Sequence, residues 1–396
     1  MRKPVWLAAS VLAALWMLSG CAAFNREYVS VEDYVPSVQE QSAPSGKISV
    51  RNYNALRQAL LNMAYSGVTE GSIVFDAAYD GDATEDMASA CWAVRTQDAL
   101  CAYCVENIAY ELNKIVTISE AIVHISYSGM TESPENIRHL AFSSEAETQI
   151  VEAMDRNERR LALLVGRSGF SADDMAAQVI KAYRENPTVV PKEPEVSVNI
   201  YSGSGSQRLY EILFRYGLTQ EELDERAEQL RELEPFAGLE LGELDEAQRA
   251  FAACAYLTRS CTLCDSNSEN NAYSALIRGE ADSEGVAFAY VELCRRLELD
   301  CRIVYGQRDW KEHCWNIVEV DGSFYHVDVT QVMSGGPEAG FLLNDEHFWG
   351  LYRWDVASYP ECTGTLSYRA LAEAGAIEAE QIVRGPVPEE EPEPGK

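Results

Sequence analysis

The chain is expected to fold as α+β, with a C-terminal domain that packs a helix on an antiparallel sheet, preceded by one or two small α/β modules. Three observations carry this expectation. Residues 47–210 alternate between strand-like and helix-like patterning. From Ser283 onward, Val286, Ala289, Tyr290, Leu293 and Leu297 recur at helical spacing. Residues 315–320 and 324–328 are apolar-rich runs on either side of Asp321-Gly322, a strong signal for a two-residue hairpin turn.

The first segment reads as a targeting signal. Arg2 and Lys3 precede an apolar run, residues 6–18, that is too short to span a bilayer comfortably. The run ends in Leu18-Ser19-Gly20-Cys21, which resembles a bacterial lipobox. That resemblance implies a signal peptide over residues 1–21, cleavage before Cys21 and lipid on its thiol. The mature chain is then expected at the cell membrane, lipid-anchored and facing the extracytoplasmic side. Residues 22–46 carry Pro36, Pro44, Ser45 and Gly46 with little periodicity and read as a tether. Residues 386–396 are rich in Pro and Glu, bury too little apolar surface to fold, and read as a disordered acidic tail.

Within the body, residues 47–50 and 72–79 read as strands and residues 53–65 as an amphipathic helix. Residues 84–94 read as a second helix, with Thr84 as its N-cap. Residues 108–115 and 116–127 read as two further strands. A weaker copy follows, with helices over 145–154 and 171–183 and strands over 160–165 and 196–201. Two echoes suggest duplication: Asp86-Met87-Ala88 with Asp174-Met175-Ala176, and Tyr127-Ser128-Gly129 with Tyr201-Ser202-Gly203. This divides the region into a module over residues 47–130 and another over 131–210. Residues 218–233 read as a charged helix opened by a capping box, Thr219 with Glu222. With a further helix over 244–259 it leads into a C-terminal domain over residues 217–375.

The formal net charge is -31. A phosphate-binding surface needs a basic footprint, so nucleic acid is excluded as a partner. The chain has 11 Cys. Two Cys-x-x-Cys pairs, Cys101/Cys104 and Cys261/Cys264, lack nearby His partners, so no metal is expected; local disulfides and plain buried thiols both remain open.

The motifs that carry chemistry lie late in the chain. Ala281-Asp282-Ser283-Glu284-Gly285-Val286-Ala287 precedes His313-Cys314-Trp315-Asn316 and then Tyr325-His326-Val327-Asp328. Pairing across the Asp321-Gly322 turn sets Trp315 opposite Asp328 and His313 opposite Thr330. His313 and Asp328 then become diagonal neighbours on one sheet face, within reach of a hydrogen bond. A helix packed on that face would bring Ser283 to the other imidazole nitrogen. At a helix start, unpaired backbone N–H groups could hold an oxyanion, and Gly285 would leave room for substrate.

Together with Gly306, Phe341-Leu342-Leu343-Asn344-Asp345 and Tyr359-Pro360, these motifs over about residues 240–362 resemble the transglutaminase-like superfamily. The resemblance implies a papain-like fold, triad positions at Ser283, His313 and Asp328, and binding contacts at Gly285 and Trp315. The family places a Cys where this chain has Ser283. A thiol paired with a His can rest as thiolate, whereas a Ser hydroxyl must lose its proton during attack. A swap costing about ten-thousandfold adds about 5.4 kcal/mol of barrier.

Two functions follow as expectations. One is a lipoprotein whose transglutaminase-like domain has lost catalysis and binds a peptide, protein or cell-wall fragment. The other is an active Ser-His-Asp acyl hydrolase or transferase acting on amide or ester bonds. Neither calls for a cofactor.

Overall fold

A computed structural model describes residues 47–115, 118–264 and 270–377. The expected leader, tether and acidic tail lie outside the described residues. No helix among the described residues is long and apolar enough to cross a membrane.

The N-terminal half holds two sheets of identical topology. The first runs β1 (Lys47–Asn52), α1 (Tyr53–Tyr65), β2 (Glu70–Asp80), α2 (Ala83–Gln97), α3 (Ala99–Cys104), β3 (Val105–Ile115) and β4 (Ile118–Tyr127). The second runs β5 (Arg138–Phe142), α4 (Ala146–Asp155), β6 (Arg160–Arg167), α5 (Ala172–Glu185), β7 (Glu195–Ser202) and β8 (Arg208–Arg215). Their strand orders, β1-β2-β4-β3 and β5-β6-β8-β7, correspond strand for strand. In each, the first pair is parallel and the other two are antiparallel. The first sequence echo falls on equivalent helices, where Met87 and Met175 are both fully buried. The second does not: Tyr127 ends β4, but Tyr201 is the penultimate residue of β7, the counterpart of β3. That echo is a coincidence. α3 is an insertion in the first copy alone, and it sinks Cys101 and Cys104 into the core as buried thiols.

Helix starts follow short polar side chains. Asp82, not the expected Thr84, caps α2, its Oδ1 accepting from the amides of Thr84 and Glu85. α6 (Gln220–Glu232) opens with the capping box of Thr219 and Glu222. α7 (Glu246–Ser260) opens with a second box, Asp245 with Gln248.

After a short parallel pair, β9 (Thr262–Leu263) with β10 (Glu280–Ala281), comes the C-terminal sheet, which is antiparallel in the order β13-β12-β11-β14. It comprises β11 (Cys301–Arg308), β12 (Lys311–Val320), β13 (Ser323–Val327) and β14 (Tyr352–Trp354). Asp321 and Gly322 turn the β12–β13 hairpin with φ of 50° and 72°, the left-handed pair that matches strand twist. Helix α8 (Ser283–Arg296) packs on one face, where Asn316 of β12 donates to its Ala287 carbonyl, and its Phe288, Ala289, Tyr290 and Leu293 are fully buried. Val304, Trp315, Ile317, Phe348, Tyr352 and Cys362 form a second core on the opposite face. Gly306 is required there: a Cβ would meet the Arg353 carbonyl oxygen at 2.3 Å and the Trp315 ring at 2.7 Å.

Candidate functional site

The carboxylate end of the site is built by the end of a strand. β13 stops at Val327, and Asp328 caps helix α9 (Val329–Gly335), accepting from the amides of Thr330 and Gln331. The hairpin register runs on to place Trp315 beside Asp328. Thr330 is helical, so the expected strand pair between His313 and Thr330 does not form. The side chains of His313 and Asp328 still meet, with Nε2 and Oδ2 at 2.8 Å. Asp328 also accepts from the Tyr352 hydroxyl at 2.7 Å and the Thr330 hydroxyl at 2.6 Å. Burial pushes its carboxyl up, but the bond and charge of His313 and the two hydroxyl donors outweigh burial and hold it below the ordinary 3.8.

Ser283 opens α8, but the helix does not pack on the face that carries His313. Side chains alternate along β12. Asn316 faces the helix and donates to the Ala287 carbonyl at 3.0 Å. His313 is on the other side, stacked against Trp315 at 6.1 Å between ring centroids. The Ser283 hydroxyl accepts from the Cys314 backbone N–H at 3.4 Å, a donor that lies beyond the end of β13. No hydrogen bond joins Ser283 to His313 among the described residues.

Three expectations about the site need correction, two at the helix start and one on β12. The amides of Glu284 and Gly285 are not open to an oxyanion: Asp282 Oδ1 accepts both, at 3.0 and 3.1 Å. Gly285 is buried and does not open a path for substrate. A Cβ there would meet Ala281 Cβ at 2.8 Å and the Asn271 carbonyl oxygen at 3.1 Å, so the glycine serves helix packing. Trp315 is 1% exposed and is a wall behind His313 with no surface for a ligand.

The neighbouring groups are acidic. Burial, with Glu193 and Asp282 adding to it and Arg184 opposing, raises the Glu284 carboxyl to about 7. Burial and the charges of Glu284 and Asp282 push the Cys314 thiol up to about 12, which removes it as a substitute nucleophile.

Sequence reading missed a second imidazole–carboxylate pair behind the first. His326 is fully buried. Its Nδ1 lies 3.0 Å from Trp315 Nε1, and its Nε2 lies 2.8 Å from Asp345 Oδ1. An indole N–H can only donate, so Nδ1 carries no proton and Nε2 must carry one. Together with Cys362, these residues form a cluster with metal-ligand chemistry, the ligand atoms within 4.8 Å of one another. The tautomer argues against a metal there: a ligating imidazole donates from its second nitrogen, whereas this one accepts. Cys362 is held as a thiol near 12 by burial and by Asp345. The cluster instead fixes Trp315, and through it the wall behind His313.

Burial lowers the His326 value below the ordinary 6.5, against the opposing bond and charge of Asp345. The folded state therefore binds fewer protons here than the unfolded chain. The contribution of His326 to stability is whole above 6.5 and is lost as pH falls below it. Glu284 acts in the opposite sense, its buried charge destabilising increasingly as pH rises from 4.5 through about 7. The His326 effect is isolated by imidazole nitrogen NMR. At pH 6.5 its signals are expected to be predominantly those of the neutral Nε2–H tautomer, because burial holds the folded value below 6.5. A protonated ring at that pH in the folded protein would refute the assignment.

Comparisons with known proteins bear on the C-terminal domain. Residues 237–329 match the transglutaminase-like superfamily model, so a transglutaminase-like domain lies there, preceded by the α/β elements. A search of curated proteins gives no match. One similar solved structure is a TGase, 12% identical, with 66% of this chain and 77% of that one covered and a TM-score of 0.27. Another is a candidate cysteine protease from Cytophaga hutchinsonii, 11% identical, with 34% and 62% covered and a TM-score of 0.22. Scores this low align no site residue.

Proposed function

We propose that this protein is a membrane-anchored, extracytoplasmic lipoprotein whose transglutaminase-like domain has lost acyl transfer and works by binding a peptide, protein or cell-envelope fragment. One observation carries the loss of chemistry: the Asp282 carboxylate occupies both first-turn amides beside Ser283. Acyl transfer develops negative charge on the carbonyl oxygen, and donors aimed at that charge supply much of the rate. A carboxylate holding those donors offers repulsion in their place. The hydroxyl at Ser283, bonded to a backbone N–H and not to an imidazole, supports the same reading.

The retained His313–Asp328 pair, at 2.8 Å, favours the second reading of an active Ser-His-Asp acyl hydrolase or transferase. A fluorophosphonate separates the two. The purified protein is expected to carry no adduct on Ser283 under conditions that label a reference serine hydrolase to completion. A stoichiometric adduct on that residue would establish the active reading. Anchoring is tested separately, by mass analysis of the N-terminal peptide from the membrane fraction, where lipid on Cys21 is expected.

A further inference from the structure

A cavity of about 860 Å3 lies between helix α5 of the second module and strand β11 of the C-terminal sheet. This is within the size range of sites that enclose small organic ligands. Ser283, His313 and Asp328 do not line it. Ile180 from α5, Val291 from α8 and Ile303 from β11 supply apolar wall.

The charges around it are unevenly matched. Lys181 pairs with Glu147 at 3.3 Å and with Glu185 at 3.5 Å. Arg302 pairs with Asp300 at 3.0 Å. Arg184 lies over the Tyr305 ring, 4.6 Å from its centroid, and no carboxylate is within ion-pairing distance of it among the described residues. Glu193 and Glu284 feel its charge from further off, and burial keeps both carboxyls above their ordinary values. Arg184 therefore presents an exposed guanidinium at the cavity, resting on the Tyr305 ring, with Glu193 and Glu284 near it but not bonded to it. A planar guanidinium matches a carboxylate with two parallel hydrogen bonds.

We infer that this cavity binds a small amphipathic carboxylate, its apolar group against Ile180, Val291 and Ile303 and its carboxylate on Arg184. An N-acylated apolar amino acid and the C-terminus of a peptide share this chemistry. The site is separate from Ser283, and its test gives the same answer whether or not that residue reacts.

The experiment is calorimetric titration of the purified protein with N-acetyl-L-leucine, its carboxamide and the tripeptide Gly-Gly-Leu. The acid is expected to bind with a dissociation constant of about 1 mM or tighter, and the carboxamide about tenfold more weakly. Tighter binding of the tripeptide would identify a peptide terminus as the natural source; tighter binding of the acylated amino acid would identify the free metabolite. Arg184→Gln should lose about tenfold for the acid and nothing for the carboxamide. Ala177 lines the cavity from the solvent side of α5. Ala177→Trp should therefore block both ligands while leaving the melting temperature unchanged, which keeps the test valid if the Arg184 variant folds poorly. Equal affinity for acid and carboxamide, no saturation by the acid, or full binding by Ala177→Trp would each overturn the assignment.

Discussion

Asp328→Ala is expected to lower stability by about 3–5 kcal/mol, the range found when one partner of a buried ion pair is removed. The carboxylate is fully buried. It accepts from His313, from the hydroxyls of Tyr352 and Thr330, and from the two amides that start α9. Alanine leaves those donors in a space too small and too dry to satisfy them, and it removes a helix cap as well. Asp328→Asn keeps one acceptor oxygen for the cap, and its cost should fall to about 1–3 kcal/mol. Urea unfolding followed by tryptophan emission measures both, because Trp310, Trp315, Trp349 and Trp354 all lie in this domain. A loss under about 1 kcal/mol for alanine would mean that the pair is not a buried element of the fold. The sign with pH is fixed by the lowered carboxyl value. The contribution is whole above 3.8 and disappears as pH falls through the depressed folded value.

This dual use of Asp328 explains how the His313–Asp328 pair can persist without catalysis. The pair joins β12, the end of β13, α9 and β14, so its loss would cost the fold before it cost any activity. Retention of the two residues is therefore weak evidence for chemistry, and the discriminating residues are those at the start of α8.

The parts of this arrangement that were legible in the sequence are the local ones. The Asp321-Gly322 turn fixed the hairpin register, because a two-residue loop leaves no freedom in pairing. The capping box at Thr219 marked the start of α6 for the same reason, since both of its bonds span three residues. The missed strands are the ones without a periodic signal. β8 is buried on both faces over most of its length, so its sequence Arg-Leu-Tyr-Glu-Ile-Leu-Phe-Arg shows no alternation. β5 is a five-residue edge strand, too short for a pattern to emerge. Which sheet face receives α8 is a tertiary choice. Alternation along β12 separates His313 from Cys314 but cannot say which side the helix takes. Asp282 was visible beside Ser283 all along. Its position one residue before the helix, with a short acceptor side chain, is the pattern of an N-cap, and that assignment alone would have removed the free amides from consideration.

Replacing the hydroxyl by a thiol tests this last point most directly. Ser283→Cys is expected to yield no amidase or acyl-transfer activity, and its thiol should alkylate with an apparent value at or above about 8.5, that of an unactivated cysteine. The reason is electrostatic. A helix start lowers a thiol's value through its unpaired N–H groups, and here Asp282 already holds two of them. Carboxyls flank the position on both sides, and the thiol of Cys314 in the same surroundings is pushed up to about 12 by burial and those charges. Asp282→Gly added to Ser283→Cys should reverse the trend, because it frees both amides and removes one negative charge, while glycine in place of an N-cap costs only about a few tenths of a kcal/mol. The alkylation rate of residue 283, read by peptide mass analysis against pH, should then titrate below that of the single variant by about one unit or more. If Ser283→Cys alone titrates near 7 or below and turns over an amide, the capped amides are no obstacle. The missing sulfur would then be the whole of the deficiency, and the domain a transferase one atom away from activity.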